Sequence, residues 1–164
     1  MKTLVVGMGN PIVTDDAIGV RLAEALAARL RERPDVTVVP ECSVGGLNLL
    51  DILSGYDRVV VLDSIKTRDA RPGDWHHFTA DALRETMNLA NVHDANFATA
   101  LALGRRLGLP LPADDQIHVI AVEIVENLTF GEELSPELAR RLPEITAGVA
   151  RAVAAILGQA PAAS

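Results

Sequence analysis

The chain has 164 residues, 49% hydrophobic and only 3% aromatic, with a single cysteine and a net charge of -7. That length and apolar content suit one compact domain able to bury a core without disulfides or a structural metal. A core short of aromatic rings must be packed from Ala, Val, Leu and Ile, which favours helices laid on a sheet. The acidic balance excludes a nucleic-acid groove, which needs a basic stripe. The lone Cys42 excludes an internal disulfide and cysteine-rich metal spacings, and it fits a reducing cytosol.

In chain order, Thr3 to Gly7 is a short apolar run ending in glycine, followed by a turn and by Ile18, Leu22, Leu26 and Leu30 at helical spacing. Thr14 is the expected cap of that helix. Val36 to Val39 gives a second strand, and Leu47, Leu50 and Leu53 mark a second helix closed by Gly55. Val59-Val60-Val61-Leu62, continuous rather than alternating, predicts a parallel strand covered on both faces. Lys66 to Trp75 reads as loop and His76 to Phe78 as a short edge strand. Asp94 is placed to cap a helix from Ala95 to Leu107, ended by Gly108 and Pro110. Ile117 to Val125 is the last strand.

From Ser135 a final helical pattern carries Leu138, Leu142, Ile145, Val149, Val153 and Ile156, with Pro143 expected to kink or divide it. The alternation predicts a three-layer α/β sandwich with a mostly parallel central sheet flanked by helices. A single domain over residues 1–158 and a frayed tail over 159–164 are expected. With no run approaching the roughly 20 apolar residues of a membrane span and no signal-peptide pattern, a cytoplasmic protein that contacts no membrane is expected; the oligomeric state is not legible.

In a parallel α/β sheet, ligands gather beyond the carboxyl ends of the strands. Gly7-Met8-Gly9-Asn10 opens like a dinucleotide fingerprint, but the third glycine is missing, Ile12 standing in its place, and Asp15-Asp16 would repel a pyrophosphate. Either acid would also serve the helix dipole alone. Asp63 follows four apolar strand residues at the rim of the sheet, where an uncompensated charge is costly, unless it caps the following loop. His93 sits beside the predicted cap Asp94. Two carboxylates and one imidazole from three loops make a donor set for a borderline divalent metal. A rival centre is Cys42 as a thiol nucleophile served by His93 or by His76 and His77, although a lone cysteine is more commonly a small core residue. His76 and His77 should face opposite sides of a strand, and His118 should pack or cap an edge.

Leu4-Val5-Val6-Gly7-Met8-Gly9-Asn10-Pro11 with Thr14-Asp15-Asp16-Ala17-Ile18-Gly19-Val20 resembles the opening of the hydrogenase maturation endopeptidases. Those enzymes cut a C-terminal extension from the nickel-containing large subunit. The likeness continues through Gly45-Gly46-Leu47, Val59 to Asp63, His93 and Glu133-Leu134-Ser135-Pro136-Glu137. The resemblance implies metal contacts at Asp16, Asp63 and His93, which would also be the catalytic set. It implies the hydrogenase large-subunit precursor as partner, and nickel brought by that substrate as the physiological metal, with another divalent ion able to occupy the site in vitro. Two departures stand out: Asp16 replaces the glutamate of some members, and Glu41-Cys42-Ser43 replaces an acidic-Gly-Gly turn. Besides the endopeptidase, the same donor set would serve a metal-assisted hydrolase of a small amide or a non-catalytic nickel-binding chaperone.

Overall fold

The computed structural model describes residues 1–44, 46–85, 92–125 and 129–158, without the side chains of 84–85 and 92–96. The strands are β1 (Thr3–Met8), β2 (Val36–Cys42), β3 (Arg58–Ile65), β4 (Trp75–Thr79) and β5 (Ile117–Glu123). The helices are α1 (Ile18–Leu30), α2 (Leu47–Leu53), α3 (Ala80–Glu85), α4 (Val92–Arg106) and α5 (Pro136–Gly158). Short 3₁₀ turns at Thr14–Ala17 and Asp114–Gln116 precede α1 and β5.

The five strands form one sheet in the order β2-β1-β3-β5-β4. The first four are parallel, and β4 closes the edge antiparallel to β5. The mostly parallel three-layer α/β arrangement expected from the sequence is the one observed. Because side chains alternate along a strand, Val5, Val60, Leu62, Ile120 and Val122 face α1 and α5. Leu4, Val6, Val59, Val61, Ile117 and Val119 face α2, α3 and α4. Both faces are therefore dry, which is why β1, β3 and β5 read as unbroken apolar runs.

Two glycines let α1 lie close on this sheet. A Cβ at Gly19 would stand 2.3 Å from the Leu62 carbonyl oxygen and 2.5 Å from that of Met8, and one at Gly7 would stand 2.2 Å from the Pro40 carbonyl. No side chain fits at such distances, so the closeness of helix mouth and strand ends depends on both residues.

Several local expectations change. Thr14 does not cap α1; the 3₁₀ turn intervenes, and the Thr14 hydroxyl donates instead to the Thr129 carbonyl at 2.6 Å. Helix α4 is described from Val92 onward, so Asp94 lies inside it rather than before it as a cap. Gly55, with φ +83°, stands just beyond α2 as expected. Helix α5 is continuous through Pro143. Leu138, Ile145, Val149 and Val153, on both sides of the proline, are all buried against the sheet, and that packing offsets the roughly 3 kcal/mol penalty of an interior proline. The tail after Gly158 lies outside the described residues. None of the described helices is long and apolar enough to cross a membrane.

Candidate active site

Strand β1 leads to β2 on one side, and the chain then returns to lay β3 on the other side of β1. The carboxyl ends of β1 and β3 diverge at this reversal, the position where parallel α/β sheets open a crevice. A cleft of about 250 Å³ lies there, lined by Met8, Gly9 and Asn10 from the end of β1, by Asp16, by Cys42, Ser43 and Val44 after β2, and by Asp63 and Ser64 from β3. Asp16 and Asp63, distant in sequence, meet in it.

Asp16 is held at both oxygens: Asn10 N–H donates to Oδ2 at 2.9 Å, and the Ser64 hydroxyl donates to Oδ1 at 3.0 Å. Ser64 N–H donates in turn to Asp63 Oδ1 at 2.8 Å. One serine thus ties the two carboxylates together, its side chain to one and its backbone to the other. Gly9 makes the approach sterically feasible; its φ of +132° suits glycine, and a Cβ there would stand 2.1 Å from the Asp16 carbonyl oxygen. The arrangement also disposes of the phosphate-cradle idea. The Asn10 amide that would face an anion already serves a carboxylate.

Asp15, its neighbour, does something different. It is fully buried and accepts from Ser135 N–H at 2.7 Å, from the Ser135 hydroxyl at 2.9 Å and from Val125 N–H at 3.1 Å. Ser135 immediately precedes α5, and its carbonyl accepts the Ala139 amide, the first hydrogen bond of that helix. Asp15 is therefore a tether joining the mouth of α1 to the end of β5 and the start of α5. The Ser64 amide bond is the loop cap that the sequence offers as the alternative role of Asp63; what the sequence does not show is the hold of the Ser64 hydroxyl on Asp16 or of Ser135 on Asp15, the available signals being a hydroxyl directly after Asp63 and a Ser-Pro-Glu helix start.

Residues 20–152 match the family model described as hydrogenase maturation protease. The chain belongs to the hydrogenase maturation protease family. It is 37% identical over 73 residues to the hydrogenase 2 maturation protease of Escherichia coli K12, a stretch covering 44% of each protein. It is 28% identical over 143 residues to the hydrogenase expression/formation protein HupD of Thiocapsa roseopersicina, covering 86% of this chain and 62% of that one. The matches thus span less than two thirds of either relative. Among solved structures it superposes on the hydrogenase maturating endopeptidase HybD from E. coli with a TM-score of 0.72 at 23% identity, covering 94% and 93% of the two chains. It superposes on the [NiFe] hydrogenase maturation protease HybD from Thermococcus kodakarensis with a TM-score of 0.64 at 25% identity, covering 94% and 99%.

The family match begins after Asp16, so the tie between Asp16 and Asp63 rests on this chain's own geometry. His93 lies in α4, on the face of the sheet that carries α2 and α4, but its side chain lies outside the described residues. Cys42 is buried, its thiol directed at the Val44 carbonyl at 3.7 Å, and burial pushes its pKa up. A protonated, enclosed thiol is a poor nucleophile. The histidine pair splits as the strand period requires: His76 Nε2 lies 3.0 Å from Oε1 of buried Glu123, and His77 Nε2 lies 3.1 Å from Nδ1 of His118. Neither lines the cleft. Glu123 also accepts from the Thr67 amide at 3.0 Å and hydroxyl at 2.7 Å, fastening the loop after β3. Glu41 is exposed near the end of β2.

Proposed function

We propose that the chain is an endopeptidase that removes the C-terminal extension from a nickel-loaded [NiFe]-hydrogenase large-subunit precursor, acting in the cytoplasm, with Asp16, Asp63 and His93 meeting the nickel that the substrate carries. The observation that carries this proposal is the meeting of Asp16 and Asp63, linked through Ser64, in one cleft at the strand reversal. Two carboxylates and an imidazole form a donor set suited to a borderline divalent ion, with room left for the ion's existing ligands. A volume of about 250 Å³ falls below the roughly 300–1,000 Å³ of drug-sized ligand sites, so it suits an ion and a short length of chain.

Nickel held by the precursor would polarise the scissile carbonyl, while one of the two aspartates takes a proton from the water whose oxygen bonds to the carbonyl carbon and returns it to the amine nitrogen as the C–N bond breaks. Cleavage is measured by mixing the purified protein with nickel-loaded and nickel-free precursor and following the size of the large subunit. Tail loss only from the loaded precursor is expected. Equal cleavage of both would overturn nickel recognition, and cleavage of neither would overturn the endopeptidase. Retention of nickel with no proteolysis would instead favour a metal-binding chaperone. Of Asp16→Asn and Asp63→Asn, the variant that still binds loaded precursor but no longer cuts it identifies the base.

A further inference from the structure

Eight large apolar side chains stand exposed among the described residues, and five of them gather at one edge of the sheet: Ile12, Val44, Leu47, Val125 and Phe130. All five follow the carboxyl end of a strand or open a helix there. Of the others, Met1 begins the chain, and Leu103 and Leu107 lie at or just beyond the far end of α4. Val44 is both a wall of the cleft and part of this rim, and Ile12 is two residues beyond Asn10, another wall residue. The apolar rim is thus continuous with the cleft that holds Asp16 and Asp63.

Phe130 is 79% exposed and Ile12 50%, yet neither sits on loose chain. Val13 and Gly131 form a parallel bridge, Gly131 N–H donates to the Ile12 carbonyl at 2.9 Å, Ile12 N–H donates to Asn10 Oδ1 at 3.1 Å, and the Thr14 hydroxyl donates to the Thr129 carbonyl at 2.6 Å. Arg21 adds a bond to the Glu132 carbonyl at 2.7 Å. A phenyl ring held in water by a pinned backbone is costly unless something covers it in use. The charge around it selects the cover: residues 9–16, 41–51 and 129–137 contain, besides buried Asp15, the acids Asp16, Glu41, Asp51, Glu132, Glu133 and Glu137 and no Lys or Arg of their own, so that even with Arg21 bonded to the Glu132 carbonyl the edge is acidic.

We propose that Ile12, Val44, Leu47 and Phe130 form a docking ledge on which the precursor lays an apolar segment of its own chain, flanked by positive rather than negative charge, next to the bond that is cut. This deepens the endopeptidase assignment and rests on it for the partner's identity. The ledge supplies ground-state binding and touches no reacting atom, so it sets KM rather than kcat.

The experiment uses the full chain and nickel-loaded precursor, with binding followed on immobilised precursor and cleavage followed in solution. Phe130→Ser together with Ile12→Ser is expected to raise both Kd and KM by about 10- to 100-fold, following the transfer free energy of two apolar side chains, with kcat within about two-fold. Phe130→Leu restores most of the affinity. Leu107→Ser, which removes an equally exposed leucine beyond the far end of α4, changes neither constant. Unaltered Kd and KM in the double variant, or equal weakening by Leu107→Ser, would overturn the ledge while leaving the protease intact. If the wild-type chain binds precursor without cutting it and the double variant loses that binding, the ledge stands and the endopeptidase assignment falls. If the wild-type chain does not bind precursor, both fall.

Discussion

Asp15 and Asp16 are adjacent, identical in chemistry and assigned opposite duties, and a pair of alanine substitutions separates them. Asp15→Ala removes a fully buried acceptor that serves two backbone amides, Val125 N–H and Ser135 N–H, and the Ser135 hydroxyl, all in part-buried hydrogen bonds. Each buried donor left without an acceptor costs about 1–3 kcal/mol, so the expected loss is about 2–6 kcal/mol from a total that for an ordinary domain is about 5–15. For a chain of this size each kcal/mol lowers Tm by about 2–4 °C, which places the Asp15→Ala transition about 10 °C below wild type. Asp16→Ala removes two bonds rather than three, and its donors are the Asn10 amide and a rotatable serine hydroxyl at a cleft rim open to water. A cost near 1 kcal/mol is expected, with precursor processing lost by at least about 100-fold. Thermal denaturation and processing assays on both variants decide the matter. An Asp15→Ala protein melting within 2 °C of wild type, or an Asp16→Ala protein that processes normally, would refute the division of labour.

Other perturbations follow from the same geometry. Ser64→Ala removes the hydroxyl that holds Asp16 Oδ1 while keeping the backbone bond to Asp63; it should cut kcat by roughly 5- to 50-fold with a Tm shift under about 3 °C, checked by steady-state processing and calorimetry. Gly9→Ala meets the Asp16 carbonyl at 2.1 Å in a left-handed backbone and should lower both stability and activity, seen as a reduced denaturation midpoint. His118 has its pKa pushed down to about 4, first by burial and then by His77 and Arg58. The unfolded chain therefore binds more protons between the folded and unfolded values, so stability is full above about pH 6.5 and declines toward pH 4. His118→Gln should flatten that acid limb, by at most about 2 kcal/mol, measured as the difference in unfolding free energy between pH 7.5 and pH 5.

The strands that frame the site were legible because their burial on two faces leaves no polar interruption: Leu4 to Val6, Val59 to Leu62 and Val119 to Val122 are all buried. Strand β2 was legible only to Val39. Its continuation through Pro40 to Cys42 carries a bulge: between Val6↔Val39 and Met8↔Cys42, β2 advances three residues while β1 advances two, and Pro40, which reads as a strand stop, sits at that extra residue on an edge strand. Helix α3, six residues long, went unseen because a single turn and a half shows too little periodicity to distinguish from loop. The site was legible as a set of acids at strand ends, which the topology rule selects without knowing the partners. Which of Asp15 and Asp16 enters the cleft was legible only through the family resemblance, which picks Asp16, because both occupy one 3₁₀ turn and their directions are set by Ser64, Val125 and Ser135, which lie 48 to 120 residues away.

That long-range dependence has a consequence for how the cleft keeps its shape. The 3₁₀ turn has no side-chain cap of its own, and a lone turn of that kind is a weak element. It is fixed instead from two sides, by Asp15 gripping the start of α5 and the end of β5, and by Asp16 gripping the loop after β1 and the end of β3. A metal contact needs its oxygens held to within a fraction of an ångström before the ion arrives. The buried tether at Asp15 provides that rigidity, so a variant weakened there should misplace Asp16 as well, and loss of processing should track loss of stability at position 15 but not at position 16.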